Sequence, residues 1–160
     1  MSLWLEQNPT ALLAEEWSRR VASGMEPRTY PALPVAVPGF RRCRGDWLGV
    51  VITPARLELW LLDGGGELWG RIPLGQKRFV SFPAGDVGLV AGYDPLFGAY
   101  QAAPVVPDLA AVPDAKTALL LAEDMLNTLV PPEPAAAPEG EPQAAAPSRR
   151  GFFRRLAGKS

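Results

Sequence analysis

Cys43 stands between Arg42 and Arg44 and is the only thiol in the chain. Neighbouring positive charge favours a thiolate, so this is the one position where a nucleophilic or redox role suggests itself. Such a thiol needs a partner base, most often histidine, and the 160 residues contain none. The expectation is therefore an ordinary free cysteine. The same two counts exclude His-dependent triads, His-ligated zinc, haem or copper, Cys-cluster zinc, iron–sulfur nests and an internal disulfide. No metal, cofactor or catalytic residue is expected. A small-molecule enzyme would need a convergent carboxylate pair, and no such pair shows in the sequence.

The glycine run Gly64-Gly65-Gly66 invites a phosphate-loop reading, which the neighbouring residues reject. A phosphate loop needs a lysine and a hydroxyl residue after its last glycine, whereas Gly70 is followed by Arg71 and Ile72. The run follows Asp63 between two apolar stretches, which predicts a hairpin turn. Tryptophan is the other unusual resource. Trp4, Trp17, Trp47, Trp60 and Trp69 crowd the first 69 residues. Most belong in a core, but Trp60 shares a strand face with Glu58 and is expected at a contact surface, unless a terminal helix covers that face.

Charge is segregated along the chain. The totals are 16 basic and 17 acidic residues, for a net charge of −1. That near-neutrality argues against a nucleic-acid partner, which calls for a strongly basic domain. Residues 131–148 carry Glu133, Glu139 and Glu141 and no base, among many Pro and Ala, so a disordered acidic linker is expected. Residues 149–160 carry Arg149, Arg150, Arg154, Arg155 and Lys159 and no acid. If helical, this basic tail puts Phe152, Phe153 and Leu156 on one face with arginines around them. That pattern suits an anionic membrane surface or an acidic apolar groove on a partner. Ser148-Arg149-Arg150-Gly151-Phe152-Phe153 also reproduces the opening of a twin-arginine export motif, but at the wrong end and with no apolar run after it. No targeting or spanning segment is read elsewhere, and with a lone thiol this points to the cytoplasm.

The elements that must position these residues fall within 1–130. Asn8 caps and Pro9 opens a first helix with Leu13, Trp17 and Val21 as its stripe, stopped by Gly24. Pro27, Pro31, Pro34 and Pro38 impose an extended connection. Strands are expected at Trp47–Thr53, Leu57–Leu62, Leu68–Ile72, Lys77–Phe82 and Val87–Ala91. Tyr100–Val106 is ambiguous, because Pro104 demotes it to an edge or irregular segment. A second helix follows Asp114, with Leu119, Ala122, Leu126 and Leu129 as its stripe and Met125 beside it. With 16 glycines and 18 prolines an all-helical bundle is excluded. The fold class is α+β: an antiparallel β-sheet flanked by an N-terminal and a C-terminal helix, plus a disordered C-terminal tail.

Between Pro34 and Gln101 the chain resembles the NiFe-hydrogenase assembly chaperones of the HybE/HupJ family. The matching pieces are the Leu33–Val37 lead-in, Phe40, Trp47-Leu48-Gly49-Val50-Val51-Ile52-Thr53-Pro54, Trp69, Phe82-Pro83-Ala84-Gly85 and Gly98-Ala99-Tyr100-Gln101. The paired arginines of the tail are also similar to the family's. Departures fall at Ala55 and Ala102-Ala103-Pro104. The resemblance implies a cytoplasmic accessory chaperone, not an enzyme. It would bind a large or small NiFe-hydrogenase subunit precursor during maturation and before twin-arginine export. Other hydrogenase accessory proteins are further partners it implies. The expected contact residues are Thr53, Pro54, Trp60, Trp69, Pro83, Gly85, Tyr100 and Gln101, with Arg149, Arg150, Phe152 and Phe153 in the tail. The competing expectation is a cytoplasmic adaptor docking on an anionic membrane surface or a partner protein through that tail.

Overall fold

The computed structural model describes residues 3–131. Its elements run α1 (Thr10–Ala22), β1 (Arg41–Cys43), β2 (Asp46–Thr53), β3 (Arg56–Leu62), β4 (Lys77–Phe82), β5 (Gly85–Asp94), β6 (Gly98–Pro104), a 3-10 turn (Leu109–Ala111) and α2 (Ala115–Leu129). The strands form one six-stranded sheet in the order β1-β2-β3-β6-β5-β4, with every pairing antiparallel. The α+β expectation of a sheet with a helix from each end of the domain holds.

β2 is buried at every position because it has a layer on each face. That is why its sequence is continuously apolar rather than alternating. Leu48, Val50 and Ile52 join Leu57, Leu59 and Leu61 of β3 in a core with Ala118, Ala122, Met125, Leu126 and Leu129 of α2. On the other face, Trp47 and Val51 join Trp60 and Leu62 in a second cluster with Leu13 and Trp17 of α1. Gly49 lies under the ring of Phe40, where a Cβ would overlap the aromatic carbons.

α2 begins as its sequence predicts, and α1 begins one residue later than expected, at Thr10 with Pro9 in the N-cap position. The Asn8 carboxamide oxygen accepts from the Thr10 amide at 2.9 Å, and Asp114 accepts from Thr117 at 2.9 Å. Gly24 adopts φ +86° just after α1, which glycine alone reaches without strain. The stripe of α2 is corrected by one position. Ala118 faces the sheet, and Leu119 points outward at 39 % exposure. A small side chain there lets the helix approach the strands closely.

Two further expectations are corrected. Residues 68–72 form no strand. β3 takes β2 and β6 as its neighbours, leaving no ladder for a return strand to join. The segment from Asp63 to Gln76 is instead a loop that carries the chain to the far edge, where β4 begins. β6 is internal rather than an edge strand. Its Pro104 is accommodated because it is the last residue of the strand. Val105 donates to the Leu57 carbonyl at 3.0 Å, so the Pro104 nitrogen faces β5, where pairing has ended at Val90–Ala102.

Candidate functional site

The loop after β3 is tied down by a single carboxylate. Asp46, fully buried, accepts from Gly64 (2.8 Å) and Gly66 (2.9 Å) through Oδ1 and from Leu68 (2.8 Å) and Trp69 (2.8 Å) through Oδ2. Gly66 is required where it packs on Arg44 and Gly45, since a Cβ there would collide with their backbone atoms. The loop is then pinned to the sheet by Gln101. Its Oε1 accepts from Arg78 at 2.6 Å and its Nε2 donates to the Gly70 carbonyl at 2.7 Å. Arg78 also donates to the Leu68 carbonyl at 2.7 Å.

Held this way, the loop and the β5–β6 hairpin enclose an open cleft of about 420 Å³. Trp69, Arg71 and Leu74 supply the loop wall, and Tyr93, Tyr100 and Gln101 supply the strand wall. Leu74 and Tyr93 are 67 % and 61 % exposed, an unusual outlay of large apolar side chains for a rim. Tyr100 is held flat. Its ring stacks on Trp60 at 3.9 Å and 3°, and it lies across Gly92, where any Cβ would meet it. Burial raises the Tyr100 phenol above its ordinary pKa, and the nearby Glu58 charge adds to that. It stays a neutral hydroxyl at physiological pH. A concave surface of aromatic rings with a few polar groups suits recognition of a polypeptide.

The hairpin rim is anchored to α1 through charge. Arg20 donates to both oxygens of Asp94 (2.7 and 3.0 Å) and to Glu16 (2.8 Å), while Arg19 also binds Glu16. The Arg20 guanidinium lies 4.9 Å from the rings of both Trp17 and Phe97. Hydrogen bonds from Arg19 and then Arg20 lower the Glu16 carboxyl from 4.5 to about 2. For Asp94, burial works against the charge, but Arg20 and the amides of Leu96 and Phe97 outweigh it and lower its pKa. Both folded values lie below the unfolded ones. This stabilisation is therefore complete above pH about 4.5 and fades as pH falls toward about 2. Melting temperature is expected to drop across that window, and Glu16→Gln should flatten part of the drop. An unchanged acid profile in Glu16→Gln would remove this network as the cause.

The expected contact residues separate into groups. Trp69, Tyr100 and Gln101 come together in the cleft. The expectation of an exposed Trp60 is corrected. It is 1 % exposed, because α1 brings Trp17 edge-on at 6.1 Å and the hairpin brings Phe97 to 6.1 Å. Its neighbour Glu58 accepts the indole N–H at 3.0 Å, which explains a charged residue beside a buried ring. Thr53 and Pro54 are also buried, so the contact surface expected of them is corrected to an internal role. Thr53 donates to Glu26 at 2.7 Å, Glu26 accepts from Arg56 at 2.8 Å, and the Pro54 carbonyl accepts from Tyr30. Gln101 is 1 % exposed and acts as the loop's tether. Pro83 is exposed and Gly85, half-buried with φ +143°, opens β5 in the β4–β5 turn away from the cleft. Arg149, Arg150, Phe152 and Phe153 lie outside the described residues. Cys43 is buried, and burial pushes its thiol up against the opposing pull of Arg44. Sequence reasoning missed Asp46 and Glu26. An aspartate directly before an unbroken apolar strand, with a glycine run downstream, was the available signal for the first.

Among the described residues no group of three His, Cys, Asp or Glu side chains is placed to hold a metal ion. No helix there is long and apolar enough to cross a membrane. The fold is an α+β domain whose sheet and tethered loop form one aromatic-lined cleft. The chain belongs to the family described as NiFe-hydrogenase assembly, chaperone, HybE, which it matches over residues 8–155. It is 32 % identical over 148 residues to the hydrogenase expression/formation protein HupT of Azotobacter chroococcum mcd 1, covering 90 % of this chain and 93 % of that one. It is 30 % identical over 83 residues to the probable rubredoxin HupJ of Rhodobacter capsulatus, covering 52 % of this chain and 30 % of that longer protein. The solution structure of HybE from Escherichia coli shares the fold, with a TM-score of 0.58 at 19 % identity over 89 % of each chain.

Proposed function

We propose that this chain is a cytoplasmic chaperone that holds a NiFe-hydrogenase subunit precursor, large or small, during maturation and before twin-arginine export. The observation that carries the reading is the cleft: Trp69 and Tyr93 present aromatic surface beside a loop tied to the sheet, in a chain of the hydrogenase-assembly family. Aromatic anchors in a concave site are where binding energy concentrates. The exposed Arg71 on the loop wall supplies a charged group beside the rings.

The test is binding of a purified subunit precursor. Trp69→Ala with Tyr93→Ala is expected to weaken it by about 30-fold, the size of one strong hot spot, measured well below the melting temperature of the variant because Trp69 also packs against the core. Equal binding by the double variant would reject the cleft as the client site. Failure to recover any hydrogenase subunit in a pull-down from cells expressing the operon would reject the function.

A second reading concerns the tail, which is supported by a family match that continues to residue 155. Here Arg149, Arg150, Phe152 and Phe153 add a contact to the client or to an anionic membrane surface. Arg149→Ala with Arg150→Ala should weaken that contact and leave domain stability unchanged. Equal client and anionic-vesicle binding by a chain ending at Val130 would reject it.

A further inference from the structure

The outer edge of the sheet carries an apolar surface that neither helix reaches. β4 is the last strand, with only β5 beside it. On the face that α1 covers elsewhere, Phe79 is 69 % exposed and Val90, paired with Lys77, is 38 % exposed. Phe79 lies against Gly88, where a Cβ would stand 3.0 Å from its Cε1 and 3.0 Å from the Lys77 Cδ. The missing side chain on β5 is therefore what lets both residues lie down on the sheet.

Among the described residues the backbone of this edge is also open. Ala91 donates to the Gln76 carbonyl at 2.9 Å, while the Ser81 carbonyl is taken by Arg44 at 2.7 Å rather than by β5. Main-chain groups alternate direction along an antiparallel strand. Lys77 and Phe79 therefore share the outward orientation of Ser81, and their N–H and C=O groups face away from the sheet. Arg44 closes the edge at Ser81 and leaves the stretch from Lys77 to Phe79 available.

We propose that this edge accepts an extended segment of the client as an added antiparallel strand, with apolar side chains over Phe79 and Val90 and acidic groups facing Lys77 and Arg44. This rests on the reading of the chain as a hydrogenase-subunit chaperone and adds a second contact to the cleft. Leu74, on the cleft rim, lies three residues before Lys77 in the same chain. Strand addition draws affinity from main-chain hydrogen bonds and specificity from alternate side chains. An antiparallel pair of β4 strands centred on Phe79 would set Lys77 against Ser81 of its mate, where Asp86 lies on the same face as Lys77 and Arg44 lies over Phe82 on the other. A second copy is therefore the rival occupant, which a concentration-dependent dimer would reveal. The exposed Lys77 ammonium beside the Phe79 ring favours an acidic segment in the added strand.

Overlapping synthetic peptides covering both subunits of a NiFe-hydrogenase from the same organism are titrated into the full protein, beside the intact precursors. The best-binding peptide is then N-methylated one residue at a time. The expected pattern has a period of two: alternate N-methyl groups weaken binding by about tenfold, the equivalent of one or two main-chain hydrogen bonds, and those between do not. Phe79→Pro removes an N–H that the sheet does not use, so it should fold and lose peptide binding by more than Phe79→Ala does. Lys77→Glu keeps the backbone intact and should weaken the acidic peptide most at low salt, so that the loss of affinity on raising salt becomes smaller. Precursor binding that ignores all three substitutions, or N-methyl effects without alternation, would overturn the edge and leave the chaperone reading standing. Peptide binding without precursor binding would count against the chaperone reading. A concentration-dependent dimer that Phe79→Pro abolishes would assign the edge to a second copy and overturn the proposal.

Discussion

Asp46→Ala is expected to destabilise the domain by about 3–5 kcal/mol, read as a fall in melting temperature and denaturant midpoint. The loss exceeds that of an ordinary hydrogen bond because one fully buried carboxylate serves four backbone amides, of Gly64, Gly66, Leu68 and Trp69. Alanine leaves those donors facing a void, and an unmade buried hydrogen bond costs more than a made one contributes. Asp46→Asn should be intermediate, since its NH₂ group presents donors to two of the amides and its oxygen still accepts from the others. Amide exchange should report the same cause locally, with protection lost first at Leu68 and Trp69. Client binding should fall with it, because the loop wall of the cleft depends on this knot. A loss under about 1 kcal/mol, within the range of one exposed hydrogen bond, would mean that water replaces the carboxylate and that the loop is held by Gln101 and Arg78 instead.

Trp60→Ala should cost about 3–5 kcal/mol, the range for deleting a large aromatic side chain from a packed core. Trp60 is in edge contact with Trp17 and Phe97 and stacked on Tyr100. Its removal opens a cavity between α1 and the sheet and leaves Glu58 without its indole donor. Tyr100 also loses the ring that holds it flat, so the variant should bind client more weakly even at temperatures where it stays folded. Trp60→Phe should retain part of both. A variant that keeps wild-type affinity while losing stability would show that Gly92 alone positions Tyr100.

The contrast between these two residues shows what was legible in the chain. Trp60 was conspicuous, but its role was misread, because alternation with Glu58 looks the same whether the face is wet or covered by a helix. Only the packing of α1 decided between them, and the indole–carboxylate hydrogen bond let a charged neighbour stay. Asp46 was not conspicuous, because its partners are backbone amides 18 to 23 residues away, which have no side-chain signature. The return strand after Gly64-Gly65-Gly66 failed for a related reason. A glycine turn with apolar flanks specifies a bend, but which strand then pairs with β3 is a non-local choice, and β6 made it.

By itself the sequence determined both helices, the four strands β2 to β5, the cap at Asp114, the stop at Gly24 and the buried character of β2; it missed the short β1 and placed a strand at 68–72 that is a loop. What it determined depends on local hydrogen bonding, backbone freedom and periodicity, all carried by neighbouring residues. It also determined that no histidine and one thiol are available for chemistry, and its motifs pointed to the hydrogenase-assembly family. The tertiary structure decided which faces are covered, that β6 lies inside the sheet, and that Trp69, Tyr93 and Tyr100 meet around one cleft. It also left the β4 edge open. Those outcomes depend on contacts between residues far apart in the chain, where the free energy of burial is shared among many partners and no short segment records it.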